Sequence, residues 1–92
     1  MTTINGAWDE DANAWVSEPL TIDSDCWLEA ELEDKGRMVV KQNIDSKWPK
    51  AMISKWGGPK FRIRIFLKTK ESQSIKIYLT SNPTSIQYVN IY

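Results

Sequence analysis

Cys26-Trp27-Leu28-Glu29-Ala30-Glu31-Leu32-Glu33-Asp34-Lys35-Gly36-Arg37-Met38-Val39-Val40-Lys41 is the stretch from which the fold class reads out. Leu28, Ala30 and Leu32 alternate with Glu29, Glu31 and Glu33, and Met38 and Val40 alternate with Arg37, Val39 and Lys41. A period of two is that of a strand with one apolar face. Asp34, Lys35 and Gly36 supply the turn, where Gly36 suits the positive φ of a three-residue loop. A register with Glu33 opposite Arg37 sets Glu29 opposite Lys41 and Leu32 opposite Met38, so charges meet on one face and apolar groups on the other. The expectation is a β-hairpin over 26–44.

Towards the C-terminus, Phe61, Ile63, Ile65 and Leu67 alternate with Arg62, Arg64, Phe66 and Lys68. After a polar turn, Ile75, Ile77 and Leu79 alternate with Lys76 and Tyr78. Ser81, Asn82, Pro83 and Thr84 make a second turn before a last strand over 85–91. Ile86 lies on the opposite parity to Val89 and Ile91, which requires a bulge between them. These three strands read as a meander. Between hairpin and meander, Pro49 suits a first helical position and Gly57 and Pro59 an end, so a helix of two turns is expected over 48–56. Trp48, Met52 and Trp56 would form its stripe; a short strand over 51–55 is the alternative. Residues 15–22 read as an edge strand interrupted by Pro19, with loop before it. The expected class is mainly β: five to six antiparallel strands, as hairpin plus three-stranded meander, forming a small barrel or sandwich. The short helix makes α+β the alternative.

The chain has 92 residues, 41% hydrophobic and 26% charged, which suits one globular domain over 1–92. No apolar run exceeds three residues, so no membrane helix is expected, and the first residues lack signal-peptide character. A cytoplasmic address is the corresponding expectation. A single cysteine, Cys26, forms no intramolecular disulfide, and beside Asp25 it reads as a small apolar filler, not a nucleophile. Histidine is absent, which sets aside histidine-based nucleophilic and zinc chemistry. No cofactor and no metal are expected.

The net charge is zero, yet residues 1–34 carry ten acids and no base, and residues 35–92 carry all 12 bases and two acids. Such segregation either serves charged partners or is neutralised inside the fold by acidic strands meeting basic ones. Glu29, Glu31 and Glu33 belong to the acidic block, which would steer a basic protein partner into place. Five tryptophans are many for this length. Trp27 with one or two others is expected in the core, leaving Trp8, Trp48 and Trp56, beside turn residues, as exposed anchors. Arg62, Arg64, Phe66, Lys68, Lys76 and Tyr78 would share the outward face of the meander, where cations neutralise phosphates and rings stack on bases.

Two further motifs are incomplete. Asp9-Glu10-Asp11-Ala12-Asn13 opens like a calcium loop but has Ala14 where glycine is needed and Leu20 where a bidentate glutamate is needed. Glu29, Glu31 and Glu33 repeat at about 7 Å along a strand, within glycosidase range, but without a cleft to shift one pKa. The functional expectation is a non-enzymatic binding module engaging a protein partner, as an inhibitor or adaptor, through a charge-polarised surface with tryptophan anchors. Single-stranded nucleic-acid binding is the alternative, and carbohydrate binding through exposed tryptophan the third. Complementary charged halves also allow a homodimer.

Overall fold

The computed structural model describes residues 2–45, 47, 50–59 and 61–92. Ten strands follow in chain order: β1 (Thr2–Thr3), β2 (Gly6–Asp9), β3 (Ala14–Ser17), β4 (Leu20–Ile22), β5 (Cys26–Leu32), β6 (Gly36–Gln42), β7 (Lys50–Gly57), β8 (Ile63–Leu67), β9 (Gln73–Thr80) and β10 (Ile86–Ile91). A single 3-10 turn, Pro83–Ser85, precedes β10. Every pairing between these strands is antiparallel. One sheet has the order β1-β10-β5-β8; the larger runs β2-β3-β9-β6-β7, with β4 also on β9. The fold is therefore mainly β and a sandwich, not a closed barrel. Among the described residues no helix is long and apolar enough to cross a membrane.

Strands β5, β6, β8, β9 and β10 are where their alternation predicts, but the pairings differ from a hairpin and meander. β5 belongs to the smaller sheet and β6 to the larger, so Glu33 does not pair with Arg37, nor Glu29 with Lys41. Leu28, Ala30 and Leu32 instead share the core between the sheets with Met38 and Val40, which buries both apolar rows completely. The connection at 33–35 is held from outside. Glu33 N–H donates to Ser85 O at 2.9 Å, Asp34 N–H to Ser85 Oγ at 3.2 Å, and Ser81 Oγ–H to Lys35 O at 3.2 Å. The meander divides in the same way, with β8 and β10 in one sheet and β9 in the other.

The expected helix over 48–56 is replaced from Lys50 by strand β7, although Trp48 itself lies outside the described residues. A two-turn helix has little stability of its own, whereas the free side of β6 offers a complete backbone ladder. β7 takes it, placing Trp56 opposite Arg37, Lys55 opposite Met38 and Ile53 opposite Val40, where Ile53 joins the core. Among the described residues, the strands that pair with their neighbour in the chain are β2 with β3 and β6 with β7.

Thr2–Thr3 and Gly6–Asp9 are strands where loop was expected, and β2 covers β3, which is therefore not the expected edge. β2 pairs β3, and β3 and β4 follow one another along β9, interrupted at Pro19. At that break Ser17 Oγ accepts the Ile77 N–H at 2.9 Å, supplying the partner that the interrupted ladder lacks. In β10 the register shifts between Ile86 and Tyr88, the bulge that lets Ile86 and Val89 face inward together.

Gly36 does not adopt positive φ. Its constraint is proximity: a Cβ there would lie 2.6 Å from the Thr80 carbonyl oxygen and 2.8 Å from Leu32 Cδ1. Gly36→Ala is therefore expected to destabilise the fold by about 1–3 kcal/mol, as overpacking does. Urea denaturation measures this; an unchanged midpoint would refute the close-approach role.

Candidate functional site

The outer face of the smaller sheet is closed on itself. β5 and β8 pair residue for residue, so Trp27 meets Phe66 and Glu29 meets Arg64. The two rings form an edge-on pair with centroids 5.0 Å apart. Arg64 Nε–H donates to Glu29 Oε1 at 2.7 Å, and Arg62 Nε lies 3.5 Å from Glu31 Oε1. Acidic and basic segments thus neutralise each other here, but through β8 and not through the sequence-adjacent β6.

Glu29 is the most constrained charge. Although its strand position points it outward, it is only 2% exposed. The side chains that close over it are Arg64, Tyr88 from β10 and Tyr92 beyond it. Tyr88 O–H donates to Oε2 at 3.0 Å, and the Tyr92 hydroxyl stands 3.5 Å from Oε1. Burial pushes the Glu29 carboxyl up, but the hydrogen bonds from Arg64 and Tyr88 and the charges of Arg64 and Arg62 outweigh it, and its pKa is lowered. The same contact, with burial first, raises the Tyr88 phenol. Burial and then Asp25 raise the Cys26 thiol, which sits in the core as an apolar filler.

Two clefts lie at the edge where β7 leads into β8. Phe61 N–H donates to Gly58 O at 2.9 Å, which turns the chain so that Pro59 and Phe61 stand up as a ridge. On one side is a cleft of about 450 Å³ lined by Lys35, Trp56, Gly57, Gly58, Pro59 and Phe61. On the other is a cleft of about 620 Å³ lined by Glu31, Leu32, Lys55, Pro59, Phe61, Arg62 and Arg64. The first is apolar apart from Lys35. The second contains three cations and one carboxylate, and Lys55 Nζ is held there by the Arg64 carbonyl oxygen at 3.2 Å. Trp56 at 67% and Phe61 at 72% are the most exposed large apolar side chains among the described residues.

The residues singled out from sequence are distributed unevenly over this geometry. Trp56 lines the apolar cleft, Glu33 is exposed in the β5–β6 connection, and Trp8 is half-buried opposite Trp15. Glu29 is covered, Glu31 is paired with Arg62, and Trp48 lies outside the described residues. Trp27 is on the outer face, and it is Trp15 that packs on the core. The expected basic face is divided: Arg62, Arg64 and Phe66 flank the smaller sheet, with exposed Lys68 just past β8, while Lys76 and Tyr78 face outward from the larger one. Consecutive strands lying in opposite sheets turn their outward sides in opposite directions.

Phe61 was not separable from the core by pattern, because it shares parity with Ile63, Ile65 and Leu67. The one local signal was the Gly57-Gly58-Pro59 break immediately before it. The calcium-like segment is turn chemistry: Asp9 Oδ1 accepts the N–H groups of Asp11 and Ala12, and Asn13 takes a φ of 51°. Among the described residues no three carboxylate or thiol groups converge as a metal site would require. Comparison with protein-family models, with curated proteins and with solved structures returns no match.

Because the folded-state pKa of Glu29 is lowered, its stabilising contribution is complete above its unfolded-state pKa and is lost as pH falls through the folded value. Tyr88→Phe removes one of the lowering hydrogen bonds. It is expected to cost about 1 kcal/mol at neutral pH and, because the folded-state pKa is then less depressed, to make the acid loss of stability smaller and complete at higher pH, with the same onset. Chemical denaturation across the acid range checks this, and identical pH profiles for the two proteins would refute it.

Proposed function

We propose that this protein is a non-enzymatic binding module whose partner is a polypeptide segment, seated across the Pro59–Phe61 ridge. The observation that carries this reading is the pair of bare rings, Trp56 and Phe61, bordering one apolar cleft. Isolated exposed apolar side chains are ordinary, but two large aromatics lining one concavity mark an interaction surface. Aromatic anchors are also the side chains that most often dominate binding energy at protein interfaces.

The chemistry of the two clefts defines the occupant. An apolar or aromatic side chain fills the space between Trp56 and Phe61. A neighbouring carboxylate reaches Lys55 and Arg62, whose charges exceed that of Glu31 on the other side of the ridge. This reverses the sign of the steering suggested by the acidic N-terminal block. Glu29 and Glu31 are engaged by Arg64 and Arg62, so the partner best accommodated is apolar and acidic, not basic.

Panning a displayed random-peptide library against the full chain tests the proposal. Enriched sequences are expected to pair an apolar residue with Asp or Glu. Phe61→Ala and Trp56→Ala are each expected to weaken the best peptide by at least about 2 kcal/mol, roughly thirtyfold. Both side chains are largely solvent-exposed, so truncation leaves the core intact. Absence of enrichment, or equal binding by both variants, would overturn the reading.

A further inference from the structure

The outer face of the larger sheet differs from that of the smaller one in how it treats charge. β6, β7 and β9 together contain Arg37, Lys41, Lys50, Lys55 and Lys76 and not one acidic residue. The pairings order the outward side chains in rows. Trp56, Arg37 and Thr80 form one, Ser54, Val39 and Tyr78 the next, and Lys41 with Lys76 the third. Arg37 donates to Ser54 Oγ at 3.1 Å and Lys41 Nζ lies 4.4 Å from the Tyr78 ring centre. Among the described residues none of Arg37, Lys41 and Lys76 has a carboxylate within ion-pair distance; the ion pairs of Arg62 and Arg64 belong to the other sheet.

Lys41 and Lys76 are direct cross-strand partners at the middle of the sheet. Like charges in that position oppose strand pairing, so the juxtaposition works against the fold that carries it. A polyanion laid over the face would relieve that repulsion. Glu18, in the break between β3 and β4 beside β9, makes no ion pair among the described residues.

We infer that this face binds single-stranded nucleic acid. The juxtaposition of three unneutralised cations with the open indole of Trp56 is what such a strand requires: phosphates meet the cations while an unpaired base stacks on the ring. Rows along a strand are about 7 Å apart, so Trp56 and the Lys41–Lys76 row stand about 14 Å apart. A segment of a few nucleotides crossing β7, β6 and β9 obliquely spans that distance. Among the described residues this face presents no helix to enter a duplex groove, which leaves unpaired bases as the recognised feature. The site is separate from the ridge clefts except for Trp56, which borders both.

Fluorescence anisotropy of a labelled twelve-nucleotide oligothymidine with the full chain tests the inference. Binding is expected at low salt, with log affinity falling against log salt at a slope of about −2 for three phosphate contacts. Lys41→Glu converts the opposed lysines into an opposite-charge pair. It should therefore keep the melting temperature while weakening binding at least tenfold, and Lys76→Gln provides a second, milder variant. Arg62→Ala and Phe61→Ala, away from this face, should bind as the parent does, which separates this site from the peptide cleft. The inference is overturned if the oligonucleotide does not bind at low salt, or if both lysine variants bind it unchanged. Equal binding of duplex DNA or of polyglutamate at matched charge would overturn it as well.

Discussion

Everything in this molecule depends on the contact between two apolar sheet faces. β5 and β8 present Leu28, Ala30, Leu32, Ile63, Ile65 and Leu67, and β6 and β9 present Met38, Val40, Ile75, Ile77 and Leu79. None of these rows is buried by strand pairing alone, since pairing satisfies the backbone and leaves one face of each sheet wet. Packing sheet on sheet removes both from water at once. The cost is topological: the chain must cross from one sheet to the other between β1 and β2, β4 and β5, β5 and β6, β7 and β8, β8 and β9, and β9 and β10. The crossing at 33–35 is stabilised by the Ser81 to Ser85 segment, which supplies hydrogen bonds that a tight hairpin would have supplied itself.

Once the apolar rows face inward, the charged rows are divided between two outer surfaces with opposite character. On the smaller sheet the acids of β5 meet Arg62 and Arg64, and Glu29 is drawn under a cover of arginine and tyrosine. The stability of an exposed pair such as Arg62 with Glu31 is small. Glu29 differs because three donors converge on one shielded carboxylate. The larger sheet has no acids in its three best-formed strands, and its cations stay available. A zero net charge therefore conceals one neutral face and one basic face.

The aromatic residues are sorted by the same geometry. Trp15 is drawn to the core by its pairing with Leu79, whereas Trp27 is turned outward onto Phe66. Trp56 remains bare on the outer side of edge strand β7, and Phe61 remains bare beyond the turn at Gly58. Gly57 helps to shape this corner: a Cβ there would lie 2.3 Å from the Ile63 side chain.

The positions of β5, β6, β8, β9 and β10, the bulge after Ile86, the interruption at Pro19 and the apolar character of Cys26 were legible in sequence, because each is set by local alternation, backbone chemistry or composition. Partner choice was not. An alternating strand specifies which of its faces is buried but not whether a neighbour in its own sheet or the opposite sheet does the burying, and both options satisfy the 26–44 pattern equally well. The strand at β7 was legible only as the alternative to a helix, because its apolar residues fit a helical stripe as well as a strand, and only the vacant edge of β6 decided between them. The candidate sites depend on those nonlocal choices. Sequence by itself determined which side chains are charged, aromatic and outward on each strand. The tertiary structure alone decided which of them share a surface, because two strands adjacent in the chain face opposite ways once they lie in opposite sheets.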